Sequence, residues 1–272
     1  MGHYENFPVA SVLLPRRLRG PVRLIYAFAR QADDFADEGD WTARERLSKL
    51  DAFRAELKRI ETRRPPETPL FGELAEVIQR HRLPLPCFYD LLDAFSQDVT
   101  QKRYADFGEV MNYCRRSANP VGRLMLALYG AAGARNNAYS DGICSSLQLI
   151  NFLQDVAIDW QKDRIYLPQD EMARFGVTEA QIQRGDADGH WSSLMLYQIQ
   201  RARRMLLAGS PLARRLDGRI GLELRMVVLG GERILKKIQA CGGDVFRRRP
   251  VLSGRDWLGM AWRAVASGGF PP

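Results

Sequence analysis

Helical periodicity runs through almost all of this sequence and limits its possible folds more than any other feature. Between successive Gly and Pro positions, apolar residues recur at spacings of three and four, as at Leu24, Ile25, Phe28, Ala32 and Phe35. This spacing is typical of an amphipathic helix, and the alternating β-branched runs that indicate strands are scarce. We therefore predict an all-α chain, with Pro21 in the first turn of the helix that carries these residues.

Capping and breaker signals divide the chain into helical segments. We place helix starts at two capping boxes, Thr42 with Glu45 and Thr178 with Gln181, and at the N-cap and proline pair Asn119-Pro120. We place helix ends at Gly39-Asp40, in the loop 62–69 and at Pro168. A chain of 272 residues with 46% hydrophobic content suffices for one large domain or two small ones. Because the sequence has no repeat and the Pro-rich connection is short, we predict a single domain over residues 1–272.

Composition narrows the class of protein. The sequence has no run of eighteen apolar residues, and its N-terminus has neither a basic region nor a cleavage site, so we expect neither a membrane span nor a signal peptide. We therefore expect the protein to be cytoplasmic. The four cysteines have no metal-binding spacing, and we expect them to be reduced.

The net charge of +8 lies mostly late in the chain, in "RARRMLLAGSPLARRLDGR" and "FRRRP". This excess fits a solvated face, nucleic acid, an anionic membrane surface or anionic small substrates. Nucleic acid is disfavoured, because aromatic residues do not alternate with these basic clusters and no recognition motif is present.

Two segments place carboxylates where helix physics disfavours them. In the first, Asp33, Asp34, Asp37 and Glu38 crowd the C-terminal turns, where the helix dipole is negative and like charges four residues apart repel by roughly 0.2–0.5 kcal/mol each. In the second, four polar residues form one stripe of roughly 16 Å at the helical rise: Gln148, Asn151, Asp155 and Asp159.

For either helix alone, a solvated acidic face is the simpler interpretation. Two such helices in one chain favour a Mg²⁺ site that also binds a diphosphate, because Mg²⁺ is bound in proteins by one or two carboxylates together with substrate phosphates. We expect the two stripes to face each other at the mouth of an apolar cavity. Arg30, Arg103 and Arg164 follow or precede the acids and suit phosphate oxygens, although each is also consistent with a surface salt bridge. Tyr26 and Tyr113 fit either a cation-stabilising ring or a core residue.

Three segments of the sequence resemble motifs of the squalene/phytoene synthase family, and they follow one another along the chain as they do in that family. "YAFARQADDFAD" is similar to its first aspartate-rich motif, "LQLINFLQDVAIDWQKDRIYLP" to its second, and "YCRRSANPVGRL" to the segment between them. The late segment "GGDVFRRRP" resembles a further family segment, whose basic residue would be Arg248.

The resemblance implies an all-α, isoprenoid synthase-type helical bundle around a central apolar cavity, which ionises an isoprenoid diphosphate. It implies a role for each matching residue: magnesium ligands at Asp33, Asp37, Asn151, Asp155 and Asp159; diphosphate contacts at Arg30, Arg103, Arg164, Tyr166 and Arg248; and catalytic positions at Tyr26, Tyr113 and Gln148 together with Asp33 and Asp155.

Departures from the family pattern narrow the expected reaction. Glu5, after His3, stands where many members carry residues that contact a second diphosphate, and a late family tyrosine is replaced near Gly231. The opening segment "HYENFPVAS" and the segment "RRSANPVGRL" are most similar to the hydroxysqualene synthase branch of bacterial hopanoid biosynthesis, whose substrate, presqualene diphosphate, has a single diphosphate.

The resemblance leaves rival functions open. Without a G-x-G fingerprint we expect no NADPH. Condensation of two farnesyl diphosphates to squalene or dehydrosqualene, and a non-catalytic helical scaffold, stay as alternatives. Because substrate and product are so apolar, we also expect contact between the late arginine clusters and anionic lipid.

Overall fold

A computed structural model describes residues 14–266 of the chain. Within this range the backbone forms thirteen helices and no strand, which confirms the predicted all-α fold class. The helices are α1 (Arg16–Asp37), α2 (Ala43–Glu61), α3 (Pro69–His81), α4 (Pro86–Thr100), α5 (Phe107–Ser117), α6 (Asn119–Leu128), α7 (Ala134–Gln161), α8 (Gln169–Arg174), α9 (Glu179–Gln183), α10 (Trp191–Gly209), α11 (Leu212–Arg215), α12 (Gly218–Ala240) and α13 (Gly254–Ala266).

Most of the predicted helix starts agree with the structure. Thr42 and Glu45 form a full capping box at α2. At α9, the Thr178 hydroxyl accepts a hydrogen bond from the backbone of Gln181 at 3.2 Å, but the Gln181 side chain donates to the carbonyl of Asp188 instead of completing the box. α6 begins one residue earlier than predicted, so that Ala118 is its N-cap and Asn119 its first residue.

The placement of Pro21 in a first turn was wrong. α1 begins at Arg16, and Pro21 lies inside the helix. The reason is an apolar stripe that starts earlier than the sequence pattern suggested, with Leu18 and Val22 both buried one turn apart. Burial of this stripe outweighs the cost of roughly 3 kcal/mol for an interior proline.

The chain divides into two compact units, each made of separate stretches of sequence. Within the described residues, the first unit comprises residues 14–101 and Tyr113–Asn137, and the second comprises Lys102–Asn112 and residues 138–266. α5 and α7 contribute residues to both units. The single domain over residues 1–272 stays a prediction.

A cluster of phenylalanine rings forms the core of the first unit. The Phe28 ring of α1 stacks on Phe53 with centroids 5.7 Å apart, and it meets Phe71 and Phe88 edge to face at 5.8 and 5.3 Å. Such ring pairs add about 0.5–1.5 kcal/mol each beyond their burial. The cluster therefore fixes which side of α1 is buried and leaves its polar side half-exposed.

Close helix contacts hold α7 in the second unit. A Cβ atom on Gly209 of α10 would lie 2.6 Å from the carbonyl oxygen of Tyr139 and 2.8 Å from the backbone nitrogen of Ile143. The backbones of α10 and α7 thus touch, and only glycine fits at this position. On α12, a Cβ atom on Gly231 would lie 3.2 Å from the side chains of Leu147 and Ile150. α7 is therefore packed tightly on two helices.

Candidate functional site

The first acidic motif forms a polar face on α1 in the first unit. We call Tyr26, Arg30, Asp33 and Asp37 the α1 stripe; their spacings of four, three and four place them along one side of the helix, and all four are half-buried. Arg30 pairs with Asp34 at 2.6 Å and with Asp33 at 3.4 Å. A guanidinium on the same helix therefore offsets part of the repulsion that the sequence predicted.

An arginine of α2 compensates the C-terminus of α1. The Arg46 guanidinium donates hydrogen bonds to the carbonyls of Phe35, Glu38 and Gly39 at 2.7 to 3.1 Å, and its Nε donates to the carbonyl of Trp41 at 3.1 Å. The carbonyls of Phe35 and Glu38 lie at the negative C-terminal pole of α1, so a cation there is favourable. Arg46 thus stabilises the helix end where the carboxylates crowd.

Tyr113 and Asp98 form a buried polar pair in the first unit. The Tyr113 hydroxyl donates to Oδ2 of Asp98 at 2.9 Å, and both residues are buried. Next to them, Arg116 donates to Oε1 of Gln97 at 2.6 Å. Burial raises the pKa of the Cys114 thiol to about 12, so this cysteine stays protonated and unreactive.

The second acidic motif forms the α7 stripe in the second unit, which comprises Gln148, Asn151, Asp155 and Asp159. Asp155 is only 9% exposed, and its two carboxylate oxygens accept hydrogen bonds from Nε and Nη2 of Arg249, the latter at 3.1 Å. The other three residues of the stripe are half-buried. A buried carboxylate is costly unless it is paired in this way.

Arg248, the predicted basic residue, lies beside that ion pair in the sequence but has a different environment. Its side chain is exposed and lines a cavity of about 430 Å³ together with Arg247 and Arg249. Arg249 is the residue that contacts the α7 stripe.

The segment after α7 is held by backbone hydrogen bonds to residues 102–105. Ile165 and Gln169 donate to the carbonyls of Lys102 and Tyr104 at 3.0 and 2.9 Å. The Tyr166 ring stacks on Phe152 and on Tyr104, with ring centroids 3.8 and 5.4 Å apart, and Arg164, two residues before Tyr166, is buried. Arg164 and Tyr166 thus belong to a rigid segment.

Arg103 supports the turn that leads into this segment. It donates to both carboxylate oxygens of Glu179 at 2.7 and 2.9 Å, and to the carbonyl and carboxylate of Asp163 at 2.5 and 3.0 Å. Asp163 has a left-handed backbone, with φ of 57°, at the turn before Arg164. The hydrogen bond from Arg103 lowers the pKa of Glu179. These contacts fit a positioning role, and a diphosphate contact for Arg103 stays a prediction.

The predicted site residues therefore fall into two groups. The first unit contains the α1 stripe and Tyr113, and the second contains the α7 stripe, Arg103, Arg164, Tyr166 and Arg248. Within residues 14–266, no three His, Cys, Asp or Glu side chains lie close enough together to hold one metal ion by themselves. The opening segment with His3 and Glu5 lies outside the described residues.

Sequence reasoning missed Asp98, Arg249 and Arg46. Asp98 stands seven residues after Leu91 on the apolar side of α4, where a carboxylate is unexpected. This position in the helical pattern could have identified Asp98 as a buried polar residue. Arg249 is one of three consecutive arginines, and its contact with Asp155 depends on tertiary packing. Arg46 follows the end of α1 by nine residues, and no local pattern predicts its contact with that end.

Comparisons with known proteins agree with the motifs. The family model for squalene/phytoene synthase matches residues 1–256. A hydroxysqualene synthase from Rhodopseudomonas palustris is 38% identical over 245 residues, covering 86% of this chain and 80% of that protein. A phytoene synthase from Mycobacterium tuberculosis is 32% identical over 266 residues, covering 97% of this chain and 87% of that protein.

A solved structure has the same fold. Squalene synthase HpnC from Alicyclobacillus acidocaldarius matches with a TM-score of 0.82 at 34% identity, covering 88% of this chain and 90% of that one. The fold, the order of the motifs and the match over nearly the whole sequence agree, and the chain belongs to the squalene/phytoene synthase family of isoprenoid biosynthesis.

Proposed function

We propose that this chain ionises presqualene diphosphate and captures the resulting cation with water, giving hydroxysqualene and free diphosphate in squalene and hopanoid biosynthesis. The observation that carries this proposal is the identity of 38% to the Rhodopseudomonas hydroxysqualene synthase, against 32% to the mycobacterial phytoene synthase. The sequence adds a second argument at Glu5. A carboxylate there would repel a second diphosphate, which fits a substrate that has only one.

We propose that Mg²⁺ ions bind to both acidic stripes. The ligands would be Asp33 and Asp37 on α1, and Asn151, Asp155 and Asp159 on α7. Their hard oxygen donors suit Mg²⁺, and each ion needs only one or two of them when phosphate oxygens complete its shell, so a cluster of three protein acids is not required. When bound, the ions would supply positive charge that stabilises the diphosphate as a leaving group.

Basic side chains would bind the diphosphate of the substrate. Arg30 and Arg164 supply planar guanidinium groups that match phosphate oxygens, and Arg248 and Tyr166 are further proposed contacts. Arg249 forms an ion pair with Asp155, so its guanidinium places a further positive charge beside the α7 stripe. These groups favour the departure of the diphosphate with the electron pair of the broken C–O bond.

The carbocation would then be protected until one water molecule reacts. Tyr26 and Tyr113 would shield it with their ring faces, and Gln148 would orient the water. The hydrogen bond from Tyr113 to Asp98 fixes the orientation of that ring. The water oxygen bonds to the rearranged cation and loses a proton, which gives the alcohol without any reductant, and we accordingly propose no role for NADPH.

A second candidate is the condensation of two isoprenoid diphosphates to squalene, dehydrosqualene or phytoene. It is favoured by the similarity to the Alicyclobacillus squalene synthase and to the mycobacterial phytoene synthase. To separate the two, the purified chain would be incubated with Mg²⁺ and presqualene, farnesyl or geranylgeranyl diphosphate in H₂¹⁸O. We expect ¹⁸O-labelled hydroxysqualene from presqualene diphosphate alone. A hydrocarbon from either of the other substrates would contradict the proposal.

A non-catalytic scaffold is the remaining alternative. The Asp33→Asn/Asp155→Asn double variant tests it, because a scaffold would not depend on these carboxylates for lipid turnover. We expect a folded variant, judged by circular dichroism, that releases no diphosphate. Unchanged turnover would reject the catalytic proposal.

We also propose that the chain is cytoplasmic and works at the membrane surface, because its substrate and product are so apolar. None of the helices within residues 14–266 has the length and apolarity to cross a membrane. The arginine clusters that the sequence suggested for lipid contact are partly engaged within the protein. Arg201 is buried and paired with Glu171, and Arg203 pairs with Glu232 at 3.0 Å.

A further inference from the structure

The outer face of α13 exposes two large apolar side chains. Leu258 and Trp262 are one helical turn apart, and each is 75% exposed. Every other large apolar side chain that is exposed within residues 14–264 lies between 38% and 46%. The two residues therefore form a local apolar patch that the part of the chain described by the structure leaves largely uncovered.

The opposite face of α13 is firmly anchored. Met260 and Ala264 pack against Leu229 of α12. Asp256 is buried, accepts hydrogen bonds from the backbone and hydroxyl of Ser253 at 2.7 Å each, and pairs with Arg233 and Lys237. Burial would raise the pKa of the Asp256 carboxyl, but the hydrogen bonds from Lys237, Ser253 and Arg233 hold it below its ordinary value. The exposure of the patch is thus a property of a fixed helix.

Basic side chains lie on the side of the apolar patch that is nearer to α12. Arg255, Leu258 and Trp262 have i, i+3, i+7 spacing and share one helix face, and Arg263 follows directly. A cavity of about 290 Å³ beside α13 is lined by these two arginines and by Arg233 and Lys236 of α12.

The two acidic residues of that cavity do not cancel its charge. Asp256 is paired as described above, and Glu232 pairs with Arg203 and Lys236. The lining has four basic and two acidic side chains, so its net charge is positive.

We infer that the outer face of α13 docks on an anionic membrane surface. Trp262 and Leu258 would enter the boundary between headgroups and acyl chains, where amphipathic aromatic rings are favoured. Arg255, Arg263 and the basic cavity would meet the lipid phosphates. This inference deepens the membrane contact proposed above, because it names the surface, and it does not rest on the reaction assigned to the site.

A second copy of the chain is a less favourable occupant. In a two-fold symmetric dimer the same patch would face itself, and Arg255 and Arg263 beside it would approach the arginines of the other copy. Such like-charge contact opposes association. An anionic lipid surface satisfies both the apolar and the basic part of this face.

Sedimentation with vesicles tests the inference without any substrate. We expect the chain to bind vesicles that contain phosphatidylglycerol and to bind pure phosphatidylcholine vesicles much more weakly. Leu258→Ser/Trp262→Ser should lower the partition coefficient at least about tenfold, and Arg255→Gln/Arg263→Gln should lower it about fivefold per arginine for anionic vesicles only. The matched control is Leu196→Ser/Leu207→Ser on α10, whose side chains are 38% and 39% exposed and whose loss should leave binding unchanged.

Trp262 itself gives a second readout. Its emission should shift to the blue with anionic vesicles, and Trp262→Phe should remove the shift while most of the binding remains. Each variant is first checked for a native circular dichroism spectrum. Binding that is unaffected by both α13 variants, or a concentration-dependent dimer that Leu258→Ser/Trp262→Ser abolishes, would overturn the inference. Because no turnover is measured, either result leaves the proposed reaction unaffected.

Discussion

On α1, the counterion of Asp34 is Arg30, four residues earlier on the same helix; on α7, the counterion of Asp155 is Arg249, 94 residues further along the chain. The side chains of the first pair are 28% and 40% exposed, and those of the second are 20% and 12% exposed. The first pair forms whenever the helix forms, whereas the second requires the tertiary structure. Similar acidic motifs are therefore neutralised by a local contact in one unit and by a long-range contact in the other.

The difference has an energetic consequence. A partly exposed pair of this spacing contributes about 0.3–0.5 kcal/mol, while removing one partner of a buried pair costs about 3–5 kcal/mol. The α7 stripe thus depends on its counterion much more than the α1 stripe does. If the proposed reaction needs Mg²⁺ at both stripes, the two should nevertheless be equally important for turnover.

The largest expected effect tests that functional equality. Asp33→Asn and Asp155→Asn should each lower turnover of presqualene diphosphate by about 10²–10³-fold, because each weakens the binding of Mg²⁺ that would stabilise the leaving diphosphate. Release of diphosphate measures this. Asp51→Asn on α2, a paired carboxylate that is 71% exposed and outside both stripes, should retain full turnover. A large loss in only one of the two stripe variants would break the equality.

The next largest effect tests whether the α7 stripe depends more on its counterion for stability than the α1 stripe does. Asp155→Ala should lower the free energy of unfolding by about 3 kcal/mol, because it leaves the Arg249 guanidinium without its carboxylate. Asp33→Ala should change it by less than about 0.5 kcal/mol. Urea unfolding of both variants measures the difference, and equal values would contradict the contrast between the stripes.

Arg46 gives an intermediate effect on the α1 side. Arg46→Ala should lower the free energy of unfolding by about 1–2 kcal/mol, since it removes hydrogen bonds to two carbonyls at the end of α1 and to two in the connection to α2. Arg46→Lys keeps the charge but not the forked geometry, and it should lie between the wild type and the alanine variant. Full recovery by lysine in the same urea experiment would show that charge alone is sufficient.

The smallest effect sharpens the comparison further. Asp34→Asn removes the pair with Arg30 but also relieves repulsion from Glu38, so the free energy of unfolding should change by less than about 0.5 kcal/mol. A double-mutant cycle with Arg30→Gln should give a similarly small coupling energy. The corresponding cycle for Asp155→Asn and Arg249→Gln should give a coupling at least about three times larger. Equal couplings would mean that burial does not distinguish the two pairs.

The sequence predicted those features that depend on near neighbours. The helical class and the capping box at Thr42 follow from spacings of three and four residues, and both were confirmed. The start of α1 was misplaced at Pro21, because a local rule about proline was given more weight than the apolar stripe that begins at Leu18. Tertiary burial decided that boundary.

The parts of the site that depend on distant residues could not be predicted in this way. The motifs identified the α1 and α7 stripes as candidate ligands, but the contact of Arg249 with Asp155 joins helix α7 to the segment after α12. Arg103 was grouped with the diphosphate contacts, and its pairing with Glu179 is visible only in the folded chain. Spacing predicts which residues share a helix face, and it carries no information about what packs against that face.

The contact of α10 with α7 at Gly209 affects which mutations a genetic screen for loss of activity would recover. Gly209 has no side chain and lies beside Tyr139, roughly 24 Å along α7 from Asp155 at the helical rise. A methyl group there would force the two backbones apart and displace the whole helix, aspartates included. In a screen for inactive alleles, substitutions at codon 209 would therefore be recovered alongside those at the aspartates, although this position supplies no reactive group.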